Sequence, residues 1–372
     1  MKRNPLGPLD RAATRVGRTL AALVRIPRFL RDPKLARSYM TDEARKSRFG
    51  TVIGLAAWAM RHAEMNDYYF AYGLDKIGSD SSRYMGIREG KELIKRVNSR
   101  AWTGSRVTDY RCLCKDKFLF GEYLAALSFP TPKNLALYDG SEVLWLDGRG
   151  ARGLDSVPES DGLDAFCKDA VGAHGQRIFA LEAREGRLLI DGTESTLEDL
   201  RKMMPVPGLV QERMVQHPAL IGVYPHSVNT FRLVTILRGG KAVPFKGFMR
   251  FGAKGSRVDN WGAGGPAVAV DLGTGKLSGL GILMPGSGGA LTRSHPETGV
   301  RFEGFEVPFF DEAVSLATRL HRFFYGLVTI GWDIAITPTG PVFIEGNNGW
   351  EIFALQAIVG GLRHELRQSI PA

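Results

Sequence analysis

The sequence predicts an α+β fold in which a helical N-terminal region precedes two α/β subdomains. Three observations carry this prediction. Apolar residues recur at helical spacing up to Asn98, as in TVIGLAAWAM and GIREGKELIKRVN. After Asp109 the texture changes to short apolar runs bounded by turn residues, the pattern of strands: NLALY, EVLWLDG, LDAFCKDA, QRIFALEA and RLLIDG. Beyond Pro205 come longer strand patterns joined by glycine-rich turns, among them NTFRLVTILRGGKAVPFKGFMRFG, and the last is the hairpin GWDIAITPTGPVFIEGNN.

The N-terminal stretch is set apart by charge. The chain has 372 residues and a net charge of +10. Residues 1–48 hold 13 Lys and Arg against 4 Asp and Glu, so the remainder is nearly neutral. That confinement argues against a nucleic-acid face, which interleaves basic and aromatic residues across a domain. Within the leader, apolar residues alternate with Arg at helical spacing, as in a basic amphipathic helix able to rest on an anionic membrane surface. The alternative is a solvated or self-packing helix. The apolar run from Thr19 to Val24 is too short to span a bilayer, and no signal-peptide cleavage site follows. Residues 49–107 read as a helical region containing the aromatic cluster NDYYFAYGL. Hydrophobic residues at 44% and charged residues at 24% are ordinary for a globular protein. Cys112, Cys114 and Cys167 are odd in number and lack zinc spacing, which fits a reducing cytoplasm better than secretion.

Within the main domain, residues 108–365, four places carry chemistry. Lys117 opens an amphipathic helix (KDKFLFGEYLAAL) and Lys168 ends a strand before a loop holding Gly172 and Gly175. Such a loop lets backbone N–H groups approach phosphate while lysine supplies a point charge; surface lysines are the alternative. Arg232, inside the apolar NTFRLVTIL, needs an anionic partner, from the protein or a ligand. In the C-terminal hairpin, a three-residue loop of Pro338, Thr339 and Gly340 places Thr337 opposite Pro341 and Asp333 opposite Glu345, with Asn347 on the same face. Opposed carboxylates repel unless something positive lies between them; a polar end of an edge hairpin is the other reading. FDEAVSLATRLHRFFYGL reads as a helix before this hairpin, and EIFALQAIVGG as the final helix. Between Phe49 and Asn98 no GxGxxG turn or Walker loop is present.

In this order the pieces resemble the ATP-grasp superfamily, and more closely its sugar-transfer associated branch, related to the alpha-L-glutamate ligases. The resemblance runs from about Thr108 to Gly361 and is most specific in HPALIGVYPHSVNTFRLVTI and GWDIAITPTGPVFIEGNN. It implies an ATP-grasp fold, two subdomains gripping ATP, with a lid at about 130–208 and a larger unit at about 209–365. It further implies that Lys117 and Lys168 contact the nucleotide phosphates and that the loop from Gly172 to Gly175 closes over them. Gln211, Glu212 and Met214 would form the hinge that reads adenine, Arg232 would hold the transferred phosphate, and Asp333, Glu345 and Asn347 would bind Mg2+, as two ions. GFMRFGAKGSRVDNWGAGG is similar to the ribosomal-protein glutamate ligases, which implies an acyl-phosphate or acceptor role for Arg250, Asn260, Gly264 and Gly265, with Arg257 and Asp259 in the same loop. Thr230 departs from those ligases, which have an acid there. The implied activity is an ADP-forming carboxylate–amine ligase acting on a sugar or cell-envelope polysaccharide precursor, or adding an amino acid. Its partners would be a small-molecule or glycan carboxylate and an amine, in the cytoplasm or at the inner face of the membrane. A phosphotransferase on the same fold and a non-catalytic membrane-surface adaptor are the competing readings.

Overall fold

The computed structural model describes residues 8–39, 44–100, 109–171, 178–259, 261–287 and 289–370. The N-terminal region is helical where the periodicity predicts it: α1 (Pro8–Arg31), α2 (Arg48–His62) and α3 (Ile87–Arg100). The Ser47 side chain accepts from Gly50 N and caps α2. The aromatic cluster between α2 and α3 folds as turns instead of helix, started by Asn66, whose side chain accepts from Tyr68 N at 3.0 Å. On α1, Ala22, Ile26 and Phe29 are buried in a cluster with Trp58, Tyr69 and Phe70, so one face of the leader packs on its own chain. Val16, Leu20 and Val24 remain exposed. Among the described residues no helix is long and apolar enough to cross a membrane.

Next comes α4 (Lys117–Ala126), capped by Asp116, and then a first sheet. Its strands are β1 (Asn134–Tyr138), β2 (Val143–Trp145), β3 (Gly150–Arg152), β4 (Leu163–Asp169), β5 (Phe179–Arg184), β6 (Arg187–Ile190) and β7 (Thr193–Ser195). After α5 (Leu197–Met203), β8 (Gly208–Glu212) inserts at the centre, giving the antiparallel order β3-β2-β1-β8-β4-β5-β6-β7. The chain then passes through residues 213–217, where His217 N donates to Ile336 O at 2.7 Å, into α6 (Pro218–Val223) and a second sheet.

That second sheet contains β9 (Thr230–Arg238), β10 (Lys241–Arg250), β11 (Ala267–Val270), β12 (Leu277–Ile282), β13 (Leu291–Thr292), β14 (Thr329–Thr337) and β15 (Gly340–Asn347), in the order β13-β12-β11-β10-β9-β14-β15. α7 (Phe310–His321) and α4 cover one face, with Phe231, Leu233, Trp332 and Ile334 in the core between them. The N-terminal helices, α8 (Ile352–Val359) and α9 (Arg363–Ser369) cover the other, over Val234, Ile236 and Phe248. EIFALQAIVGG is therefore not the last helix; α9 follows it. Two buried amides fasten the N-terminal region to the C-terminal elements. Asn98 donates to Thr329 O (2.9 Å) and Asn348 O (2.7 Å) and accepts from Val328 N and Thr329 N, both at 2.9 Å. Gln356 bonds both backbone groups of Met85.

The C-terminal hairpin reaches the expected pairing by a different route. Its turn has two residues, not three: Thr337 pairs with Gly340 and Ile336 with Pro341. A bulge at Ile344 then adds one residue to β15, and Asp333 still faces Glu345. The expected partner of Thr337, Pro341, is thus corrected by one position. β14 is buried along its whole length, so the hairpin end is not an exposed polar tip.

Candidate functional site

The open end of the β9–β14–β15 ladder gathers the predicted charges. Arg232 on β9 lies opposite Asp333 on β14. Its Nε donates to Asp333 Oδ1, and its Nη2 donates to Oδ2 at 2.9 Å. Arg250, at the end of β10, brings Nη2 to the same Oδ2 at 3.0 Å. Asp333 is buried, which alone would raise its pKa, but the two guanidinium groups hold it well below the usual carboxylate range. Glu345, opposite Asp333, moves the other way: burial and then the Asp333 charge raise it. Asn347 Nδ2 donates to Glu345 Oε1 at 3.2 Å, which places Asn347 on the expected face. The sequence reading gave metal ions the task of offsetting the opposed carboxylates; in the structure Arg232 and Arg250 already offset one of them.

Lys168 ends β4 facing this cluster. It is buried, and its Nζ donates to Gln211 Oε1 at 2.6 Å. Gln211 is fixed in turn by Nε2 bonds to Pro132 O (3.3 Å) and Asn134 Oδ1 (2.9 Å), while Asn134 donates to Glu122 Oε1 at 2.9 Å. Burial, then the Lys117 charge, lowers Lys168 to about 8, against the opposing pull of Glu345. Lys117 opens α4 as predicted, and its backbone N donates to Ala170 O at 2.9 Å beside the end of β4. Glu212 ends β8 with its side chain exposed, and Met214 lies half-buried just beyond. Gly172, Gly175 and Asn260 lie outside the described residues. The side-chain work of Gln211 on Lys168, and the support from Asn134 and Glu122, were missed; the alternation of β8 and β4 about their pairing was the signal that could have found them.

The loop after β10 resolves the anomaly at Thr230. Thr230 N donates to Asp259 Oδ2 at 2.8 Å, and its Oγ1 contacts the same oxygen. Arg250 Nε lies 3.4 Å from that oxygen and donates to Thr230 Oγ1 at 3.0 Å. An acid is therefore present beside Thr230, supplied by the loop instead of by β9. Burial raises Asp259 and Arg250 counters it. Arg250 itself is raised: burial would lower it, but Asp259, Asp333 and Glu345 overcome that. Gly264 adopts φ +99°, and a Cβ on Gly265 would stand 1.8 Å from Phe251 O, so the glycine pair lets the loop fold back on β10. Arg257 points elsewhere, bonding Asp191 of the first sheet. A cavity of about 40 Å³ borders the arginine pair, walled by Trp261, Trp350, Glu351 and Leu355. Tyr68 stacks on Trp261 with ring centroids 6.2 Å apart, so the N-terminal aromatic cluster backs this wall.

Asp333, Glu345 and Asn347 offer oxygens of the kind a hard divalent cation takes. Glu345 fits that group: its carboxyl is part-buried and disfavoured as an anion, a state a cation would reverse. Asp333 fits less directly, since both of its oxygens already accept from arginine. Among the described residues no three His, Cys, Asp or Glu side chains gather as a metal cluster; the set is two carboxylates and one amide.

Two antiparallel sheets bringing lysines, arginines and paired carboxylates to one place define an ATP-grasp fold. A profile of the sugar-transfer associated ATP-grasp family matches residues 108–370, and the chain belongs to that family. No curated protein matches the sequence. Similar solved structures include N5-carboxyaminoimidazole ribonucleotide synthetase from Thermotoga maritima (14% identity, 72% of this chain and 49% of that one, TM-score 0.35). D-alanyl-alanine synthetase A from Vibrio cholerae is another (13%, 68% and 61%, 0.40), and L-amino acid ligase from Bacillus licheniformis a third (10%, 71% and 48%, 0.37). This chain thus spans about half to three fifths of the length of those proteins.

Proposed function

We propose that the protein is an ATP-dependent carboxylate–amine ligase of the ADP-forming kind. The observation that carries this reading is the convergence of Arg232 and Arg250 on one buried carboxylate, with Lys168 held by Gln211 toward Glu345. Family membership supports it. A substrate carboxylate oxygen would attack the γ-phosphorus of ATP as the bond to the β–γ bridging oxygen breaks, releasing ADP. The nitrogen of an amine would then attack the acyl carbon, phosphate would leave with its bonding pair, and the amine proton would pass to solvent. Lys117 and Lys168 hold phosphate oxygens, and Arg232 and Arg250 stabilise charge on the moving phosphoryl group. Glu345 and Asn347, with Asp333, would hold Mg2+, taken as two ions, which would supply further charge neutralisation. The small cavity beside Trp261 and Trp350 suits the acceptor carboxylate, next to the arginine pair. The substrate class proposed is a uronic acid or other envelope carboxylate, joined to an amine.

The test is ATP turnover with Mg2+, following ADP, AMP and phosphate while pooled uronic acids and amino acids are offered. Release of ADP and phosphate that needs both substrates, and that falls on the order of 10²-fold or more in Glu345→Gln, supports the ligase. AMP release, or a stable phosphorylated product without amine, overturns it, the latter in favour of a phosphotransferase.

A further inference from the structure

Away from the arginine–carboxylate cluster, α1, α2, α3 and α9 border a half-open cleft of about 1050 Å³, the size of a small-molecule pocket. Its wall is basic. Arg15 and Arg18 reach it from α1, Arg61 from α2, and Arg88 and Arg96 from α3. α9 adds Arg363 and Arg367, while the acids are Glu89 and Glu92 alone, which leaves a surplus of five positive charges. Part of this charge is committed within the fold. Arg15 Nη2 donates to Arg61 O at 2.9 Å, at the C-terminal end of α2. Arg363 and Arg367 hold Glu89 at 2.6 and 2.8 Å.

The rest is uncommitted. The side chains of Arg18, Arg88 and Arg96 form no hydrogen bond or ion pair with any described residue, although like charges gathered around one cleft repel; of the three, Arg88 alone feels a nearby acid, Glu64, which accepts from its backbone N at 3.1 Å. His62 also lines the cleft, with its side chain buried; its Nδ1 lies 3.5 Å from Glu89 Oε2, and its Nε2 has no partner among the described residues. An arginine fork is shaped for the paired oxygens of phosphate.

We infer that this cavity is a second anion site, for a ligand carrying two or more phosphate charges, distinct from the nucleotide site and independent of the ligase reading. Such charges come either from a soluble diphosphate or from a lipid headgroup. The lipid source has a structural argument, because α1, which supplies Arg15 and Arg18, also leaves Val16, Leu20 and Val24 in solvent.

The experiment titrates inorganic pyrophosphate, and separately phosphatidylcholine vesicles with and without phosphatidic acid. It uses the full chain, Arg88→Gln with Arg96→Gln, Arg18→Gln, and Lys168→Ala as a nucleotide-site control. The expected result is binding of at least one probe, weakened about tenfold or more by the paired substitution and in the same direction by Arg18→Gln, yet retained in Lys168→Ala. Pyrophosphate binding assigns the soluble source. Binding only to phosphatidic-acid vesicles, reduced by Leu20→Asp with Val24→Asp, assigns the lipid. Failure of both probes, or equal binding by the arginine variants and wild type at matched thermal stability, overturns the inference.

Discussion

Asp333→Asn keeps the shape of a side chain on which two buried cations depend. Side-chain exposure is 5% for Asp333, 11% for Arg232 and 14% for Arg250, so solvent screens this cluster little. After the substitution Arg250 retains Thr230 and Asp259, while Arg232 loses the only ion pair it makes among the described residues. Leaving a buried charge unpaired costs about 3–5 kcal/mol. The lower figure applies here, because Glu345 also faces Arg232 and takes part of its charge. At about 2–4 °C per kcal/mol for a domain of 150–250 residues, the midpoint of unfolding falls by about 6–12 °C. Thermal unfolding at neutral pH, without nucleotide or divalent cation, measures it. Removing both partners together, as Asp333→Leu with Arg232→Met, should restore most of the loss, since an apolar pair replaces an ion pair at little net cost. An Asp333→Asn midpoint equal to or above wild type would refute the reasoning, because it would mean that the aspartate charge is not what holds Arg232.

Two further outcomes follow from the same geometry. Lys168 is lowered from 10.5 to about 8, so between these values the unfolded chain binds the extra proton; stability contributed by this group rises with pH across that window, while nucleotide affinity, which needs the ammonium, weakens above about pH 8. Nucleotide titrations from pH 7 to 9 read this, and Lys168→Arg should flatten the profile. Gly265→Ala sets a Cβ against backbone that cannot yield, 1.8 Å from Phe251 O; a loss of about 1–3 kcal/mol in urea unfolding is expected, and an unchanged midpoint would exclude the close approach.

The hairpin shows how far the sequence could be read. Alternation and the Pro-Thr-Gly turn brought Asp333 and Glu345 together, but the count rested on a loop one residue too long. The bulge at Ile344 compensated. Nothing in PVFIEGN marks a bulge, because Ile344 suits a regular strand as well as an irregular one. The lysines and Arg232 were legible because each breaks an apolar or helical pattern at one position. Asp259 as the partner of Thr230 was not, since it lies 29 residues on, in the loop after β10, which has no period to count along. The arginine cavity was hidden for the same reason: Arg18, Arg88 and Arg363 meet only after α9 packs against the N-terminal helices, and each alone reads as a solvated charge.

The clamp formed by Asn98 and Gln356 bears on the order in which the chain acquires structure during synthesis. All four described bonds of the Asn98 amide to main chain run to residues 328–348, and those of Gln356 reach back to Met85. The helices and the tyrosine cluster therefore leave the ribosome first and are completed last, when the final hairpin emerges. Until then, Trp58, Tyr68 and Tyr72 have no sheet or C-terminal helix to cover them. A nascent chain of this kind presents this aromatic surface until residues 328–356 emerge, a natural point of hold for chaperones and the first place where a product truncated before them would aggregate.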